Sequence, residues 1–158
     1  MLSYEVEIER PVGEVYRIYS DPDTLPRWLT GLQRTEHVSG APGEVGSVTK
    51  HIYLEKGRIV EMTETVIELE PEKHMAARLE TPGTECMIYV DFVDQGETTL
   101  MRFSSEFEAQ GFMFRLMMPF IKGKVKERQR GDLRRFKALV EAETEAAGPS
   151  EAETAEAG

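Results

Sequence analysis

Hydrophobic and polar residues alternate strictly over residues 3–9, SYEVEIE, so that Tyr4, Val6 and Ile8 share one face and glutamates the other. A period of two over this length predicts a strand with one buried face. The period then changes. Val12, Val15, Tyr16 and Tyr19 recur at helical spacing behind Pro11, which predicts a short helix, and PDTLPRWLTG predicts a second, with Pro22 and Pro26 suited to first-turn positions. From Gln33 to Glu108, strand-like runs are separated by turn signals at Lys56-Gly57, Pro71-Glu72, Pro82-Gly83 and Gln95-Gly96. Treating each signal as a two-residue connection sets a register. Leu79 then opposes Cys86 and Ala77 opposes Ile88, while Val90 opposes Met101 and Ile88 opposes Phe103. One face of these three strands becomes apolar, with Met75, Phe92 and Phe107 joining the residues just named, and a slip of one residue would turn that whole set to the other side. In the hairpin before it, Val60, Met62, Glu64 and Val66 fall on the inner face opposite Tyr53, His51 and Thr49. The same register turns Glu68 inward and Ile67 and Leu69 outward, which a bulge or a longer turn near Pro71 would reverse. Beyond Gly111, Phe114, Met117, Met118, Ile121, Val125, Leu133, Phe136 and Val140 stand at near-helical spacing. They predict one long amphipathic helix that either starts at Pro119 or starts earlier and kinks there.

Composition limits what these elements build. The chain has 158 residues, 40% hydrophobic and 30% charged, which suits one domain. The N-terminus lacks the apolar core of a secretion signal, and no run approaches the roughly 20 apolar residues of a membrane span, so cytoplasmic residence is expected. The single cysteine, Cys86, has no partner for an internal disulfide and reads as a buried core thiol. Charge is uneven. Residues 112–140 carry about +7, leaving about −17 on the rest of a chain whose formal net charge is −10. That basic helix lacks interleaved aromatics and sits on an acidic body that repels phosphate, which argues against nucleic acid. It reads as a solvated face, or as a face that docks an acidic protein or an anionic membrane surface. No motif specifies an oligomeric state. The acidic, low-complexity stretch 141–158 reads as a frayed helix end and a disordered tail.

The order of elements, together with VEIERPVGEVYRIYSDPDTLPRWLTGLQRTEHV near the start and VIELEPEKHMAARLE and GETTLMRFSSEFE later, resembles the START-like, polyketide cyclase/dehydrase and lipid-transport superfamily. The resemblance implies an α+β helix-grip fold over residues 1–140: a curved antiparallel sheet of about seven strands, with two short helices after strand one, wrapped around the long C-terminal helix. It also implies a cavity between sheet and helix that holds sterols, lipids, polyketides or other apolar molecules, with chemistry in only some members. Trp28, the only tryptophan, has two readings, a core ring or a ring at the mouth of that cavity beside Phe112, Met113 and Met117.

Met62, Leu79, Ile88, Met101 and Phe103 on the inner face, facing Met113 and Met117 on the helix, are the expected lining, and methionine adapts to varied apolar shapes. His51, Tyr53 and Glu64 are the candidate polar group on that face. His51 and Glu64 are diagonal neighbours on adjacent strands, so the carboxylate can orient the imidazole or share a proton with it. No nucleophile elbow, phosphate-binding loop or metal-ligand spacing occurs, and no cofactor or metal is expected. Three functions fit this inventory: a binding protein for a small hydrophobic or aromatic ligand, a cofactor-free cyclase or dehydratase using His51 and Glu64, and an interaction module acting through the basic helix.

Overall fold

The computed structural model describes the backbone of residues 2–109 and 111–157, and the side chains within those ranges except at Ala109, Phe114 and residues 144–157. Its elements are β1 (Leu2–Ile8), α1 (Val12–Ser20), α2 (Leu25–Trp28), β2 (Leu32–Ser39), β3 (Val48–Glu55), β4 (Arg58–Glu70), β5 (His74–Thr81), β6 (Thr84–Asp94), β7 (Thr99–Ala109) and α3 (Phe112–Ala157). The strands form one antiparallel sheet in the order β1-β7-β6-β5-β4-β3-β2. Pro11 caps α1 from extended backbone, where its missing N–H costs nothing, and Val15 and Ile18 are the buried face of that helix. The linker to α2 is tied back through Thr24 Oγ1, 2.7 Å from the Ile18 carbonyl and 2.8 Å from that of Asp21.

The expected register holds for β3 with β4 and for β5 with β6, where Leu79 faces Cys86 and Ala77 faces Ile88. Two connections differ. Asp94 pairs with Thr99, so the last hairpin has a four-residue loop; Val90 opposes Phe103 rather than Met101, and Ile88 opposes Ser105 rather than Phe103. Because the shift is two residues, every side chain keeps its face. Between β4 and β5 the turn is one residue longer than two, and a bulge at Ile67 separates Val66 from Glu68. Leu69 thereby comes opposite the inner residue Met75, and Glu68 turns outward to solvent.

Strands from both sides of the sheet meet α3 at nearly one point. Tyr4 of β1 donates its hydroxyl to the Lys126 carbonyl at 3.4 Å, and Arg128 lies 5.3 Å over the Tyr53 ring of β3. In a flat sheet β1 and β3 would stand about 24 Å apart, so the sheet is strongly curved around the helix, as a helix-grip fold requires. The main core lies beneath the second half of α3, where Leu133, Phe136 and Val140 pack on Ile8, Val15, Ile18, Val90, Phe92 and Met101. A smaller cluster, Ala77, Cys86 and Ile88, occupies the middle of the inner face.

The long helix starts at Phe112 and runs through Pro119. Its sheet-facing stripe is Met118, Ile121, Val125, Gln129, Leu133, Phe136 and Val140, all buried or half-buried. Met113 and Met117 do not belong to it. They are 71% and 55% exposed on the opposite side of the helix, which corrects the expectation that they face the sheet. Phe114, expected in the stripe, lies outside the described side chains. The backbone of 141–157 continues α3, so the stretch expected as a disordered tail is helical there. No helix among the described residues is long and apolar enough to cross a membrane.

Candidate functional site

β3 and β4 bring His51, Tyr53, Met62 and Glu64 together on the inner face. His51 pairs with Met62 and Thr49 with Glu64, so the imidazole and the carboxylate are diagonal neighbours, with His51 Nε2 3.7 Å from Glu64 Oε2. That is an ion-pair distance, beyond a direct hydrogen bond. His51 is 5% exposed, and neither ring nitrogen makes a hydrogen bond among the described residues. Tyr53 stacks on it at 16° between planes. Burial holds the Tyr53 phenol well above its usual pKa, against the lowering effect of Arg128, which lies over the ring and pairs with Glu55.

Tyr19 links this group to Trp28. Its ring centroid is 5.9 Å from that of Trp28, and its phenol is raised in pKa first by burial and then by the Glu64 charge. Trp28 is a core ring, 6% exposed and 4.9 Å from Phe136 between centroids, yet its buried indole Nε1 makes no hydrogen bond among the described residues. The segment after it is bolted to α3. Asp132 accepts from Thr30 N at 3.1 Å and Thr30 Oγ1 at 2.6 Å, while Arg135 Nε donates to the Trp28 carbonyl at 3.2 Å. Gly31 completes the turn with φ +79°, where a Cβ would come within 2.8 Å of the Leu54 carbonyl oxygen.

An apolar row leads away from the polar group. Glu64 pairs with Leu79, Leu79 with Cys86, and Cys86 with Phe107, three strand spacings or about 14 Å in all. Ile88 lies on the next row, opposite Ala77 and Ser105, and Phe103 bridges the two apolar clusters. Met62, Leu79, Phe103 and Phe107 are only half-buried although they face inward, so α3 leaves this part of the inner face incompletely covered. At the Phe107 end, a cleft of about 520 Å³ is lined by Phe107, Glu108, Arg115 and Met118, within the range of small-molecule sites.

Four expected site residues stand elsewhere. Trp28 packs on Phe136, about 28 Å of helix from Met117, and not beside Met113 and Met117 as expected. Met101 has no exposed surface, so it borders no space that water could enter and serves as packing. Met113 and Met117 face outward, as described above. Two residues were missed. Tyr19 reads as part of the α1 core stripe, and only its phenol hinted at a polar neighbour. Ser105, whose Oγ reaches Gln129 Oε1 of α3 at 3.3 Å, is the one polar side chain at inner parity among Met101, Phe103 and Phe107, a signal the pattern did carry. Among the described residues no three His, Cys, Asp or Glu side chains gather as a metal-ligand set.

Residues 2–141 match the family described as polyketide cyclase/dehydrase and lipid transport. Among solved structures, the chain is similar to the Zhui aromatase/cyclase from Streptomyces sp. R1128 at 15% identity and TM-score 0.79, covering 93% of this chain and 96% of that one. It is similar to TTHA0849 from Thermus thermophilus at 19% identity and TM-score 0.74, covering 90% and 98%. Norcoclaurine synthase from Thalictrum flavum, solved with dopamine and hydroxybenzaldehyde, is similar at 18% identity and TM-score 0.64, covering 88% and 84%. Likeness at these identities is likeness of fold. No curated protein sequence matches the chain.

Proposed function

The chain belongs to the polyketide cyclase/dehydrase and lipid-transport family, and from that premise we propose that it binds a small apolar or aromatic molecule bearing an oxygen at one end. The observation that carries this reading is the polar end of the site. Both ring nitrogens of His51 are buried without hydrogen bonds among the described residues, beside the Glu64 carboxylate. A buried polar group left unpaired costs about 1–3 kcal/mol, so a ligand hydroxyl or carbonyl at His51 recovers energy the protein forgoes. The row Leu79, Cys86, Phe107 offers two strand spacings, about 10 Å, of apolar surface to the rest of the molecule, the length of two or three fused rings. That similar folds include an aromatase/cyclase and a synthase solved with oxygenated aromatics supports this class.

Trp28 is the only tryptophan, so its fluorescence follows binding during titration with 1-naphthol and with naphthalene. His51→Ala is expected to weaken 1-naphthol about tenfold, the worth of one buried hydrogen bond, and to leave naphthalene unchanged. Equal loss for both, or binding of neither, overturns the polar-end assignment. Native mass spectrometry of the purified protein then identifies the ligand carried from the cell.

The 3.7 Å approach of His51 to Glu64 favours a second reading, a cofactor-free cyclase or dehydratase. In it Glu64 orients the imidazole, and His51 takes a proton from carbon beside a carbonyl or returns one to a leaving hydroxyl. Turnover lost in His51→Ala and Glu64→Gln proteins that still bind naphthalene would select this reading over simple carriage.

A further inference from the structure

The first turns of α3 carry an apolar stripe that the chain does not use. Phe112, Met113, Leu116, Met117 and Phe120 are 76%, 71%, 59%, 55% and 77% exposed. At about 100° per residue these positions form one continuous face, on the side of the helix away from Met118, Ile121 and Val125. Five large apolar side chains on one exposed helix face mark an interaction site rather than ordinary surface.

Charge identifies the occupant. Residues 112–126 contain Arg115, Lys122, Lys124 and Lys126 and no acidic residue, in a chain whose formal net charge is −10. Lys124 lies on that face and Arg115, Lys122 and Lys126 on the same turns of helix, so a second copy meeting the stripe would bring a second set of the same cations and no acidic residue of 112–126 to meet them. An anionic lipid surface offers each of them a counter-charge, and beneath its headgroups an apolar layer deep enough for phenylalanine rings. The acidic remainder of the molecule is repelled from the same surface, which leaves one orientation with α3 inward. We propose that the outward face of Phe112–Phe120 docks on anionic membrane, the aromatic and methionine side chains entering the headgroup boundary and the lysines holding phosphates around them. The cleft bordered by Arg115 and Met118 lies at the same end of α3, on its sheet-facing side. If the ligand reading above holds, docking sets that cleft close to the bilayer from which an apolar molecule comes.

Flotation of the full-length protein with vesicles of phosphatidylglycerol and phosphatidylcholine in equal parts, against pure phosphatidylcholine, tests the proposal without any ligand, so its failure is separable from failure of naphthol binding. Binding is expected to the anionic vesicles alone and to fall as salt rises. The double variant Phe112→Ser/Phe120→Ser and the double variant Lys122→Gln/Lys124→Gln are each expected to lose more than about tenfold in partition. Because these side chains are exposed, both variants keep the parent melting temperature. No partition at low salt, or partition unchanged in the phenylalanine variant, overturns the proposal. So does a parent that sediments as a dimer and becomes a monomer in that variant, since the stripe would then be a self-association face; capture of an acidic protein without vesicle binding overturns it likewise.

Discussion

Cys86 sits midway along the apolar row, between Leu79 and Phe107, and burial pushes its thiol pKa up to about 12. At pH 8 only about one molecule in ten thousand is then thiolate, the reactive form. Native protein is therefore expected to react with dithionitrobenzoate about a thousandfold more slowly than unfolded protein in urea, measured by absorbance of the released thiolate. Fast native reaction would mean that the row is filled with solvent rather than apolar side chains. The residues on which site predictions turned divide by chemistry. A histidine and a glutamate at inner parity stand out in the sequence because a buried charge needs a reason, and the approach of His51 to Glu64 was legible on that ground. Trp28 and Met101 were not. An apolar ring or thioether fits a packed core as well as a cavity wall, and the difference depends on what crosses above it, here Phe136, 108 residues beyond Trp28 and 35 beyond Met101.

Alternation identified the strands and their faces, because a hairpin loop miscounted by two moves partners without turning side chains over, as the Gln95-Gly96 connection did. Loop length and the Ile67 bulge depend on local backbone geometry that a period-two pattern does not encode. The phase of α3 was misread for a different reason. FMFRLMMPFI is apolar nearly all round, so its own periodicity chooses no face, and the phase is set by Val125, Leu133, Phe136 and Val140 further along. The bulge has a chemical consequence. It turns Glu68 outward beside His74, whose Nε2 lies 3.0 Å from Glu68 Oε2 while Nδ1 lies 2.6 Å from Asp91 Oδ1, joining β4, β5 and β6 on the outer face. The Asp91 hydrogen bond, ahead of the opposing cost of burial, raises the His74 pKa above 6.5. A raised folded pKa means stability fully present below the ordinary histidine range and lost as pH rises through the folded value. Urea unfolding at a series of pH values is expected to show stability falling from about pH 6.5 upward, and His74→Gln should remove that slope. A slope unchanged in the variant would assign it to other groups.

At the scale of the molecule, the curvature of the sheet rather than any single contact makes the site, because it lets β1 and β3 grip α3 at Lys126 and Arg128 while the inner face between them stays partly uncovered. Sequence patterns supplied the elements in order; the curvature was legible only through family resemblance, since no local period reports it. The grip on α3 extends along its second half. Among the described side chains, the anchors furthest along the chain lie at Val140, which is fully buried, at Glu141, whose carbonyl accepts from Arg10 at 2.6 Å and whose carboxylate pairs with Lys137, and at Glu143, which pairs with Arg27. After residue 145 the sequence is AAGPSEAETAEAG, with no apolar side chain larger than alanine except Pro149 and with glutamates that the acidic body does not attract. We propose that this segment adds solubility and no stability, even where its backbone is helical. Deleting residues 146–158 is therefore expected to shift the melting temperature by less than about 2 °C, a change that in a domain of this size corresponds to well under 1 kcal/mol. Circular dichroism at 222 nm during heating measures it, and a drop of many degrees would show that the acidic segment packs on the body and that the domain runs to the end of the chain.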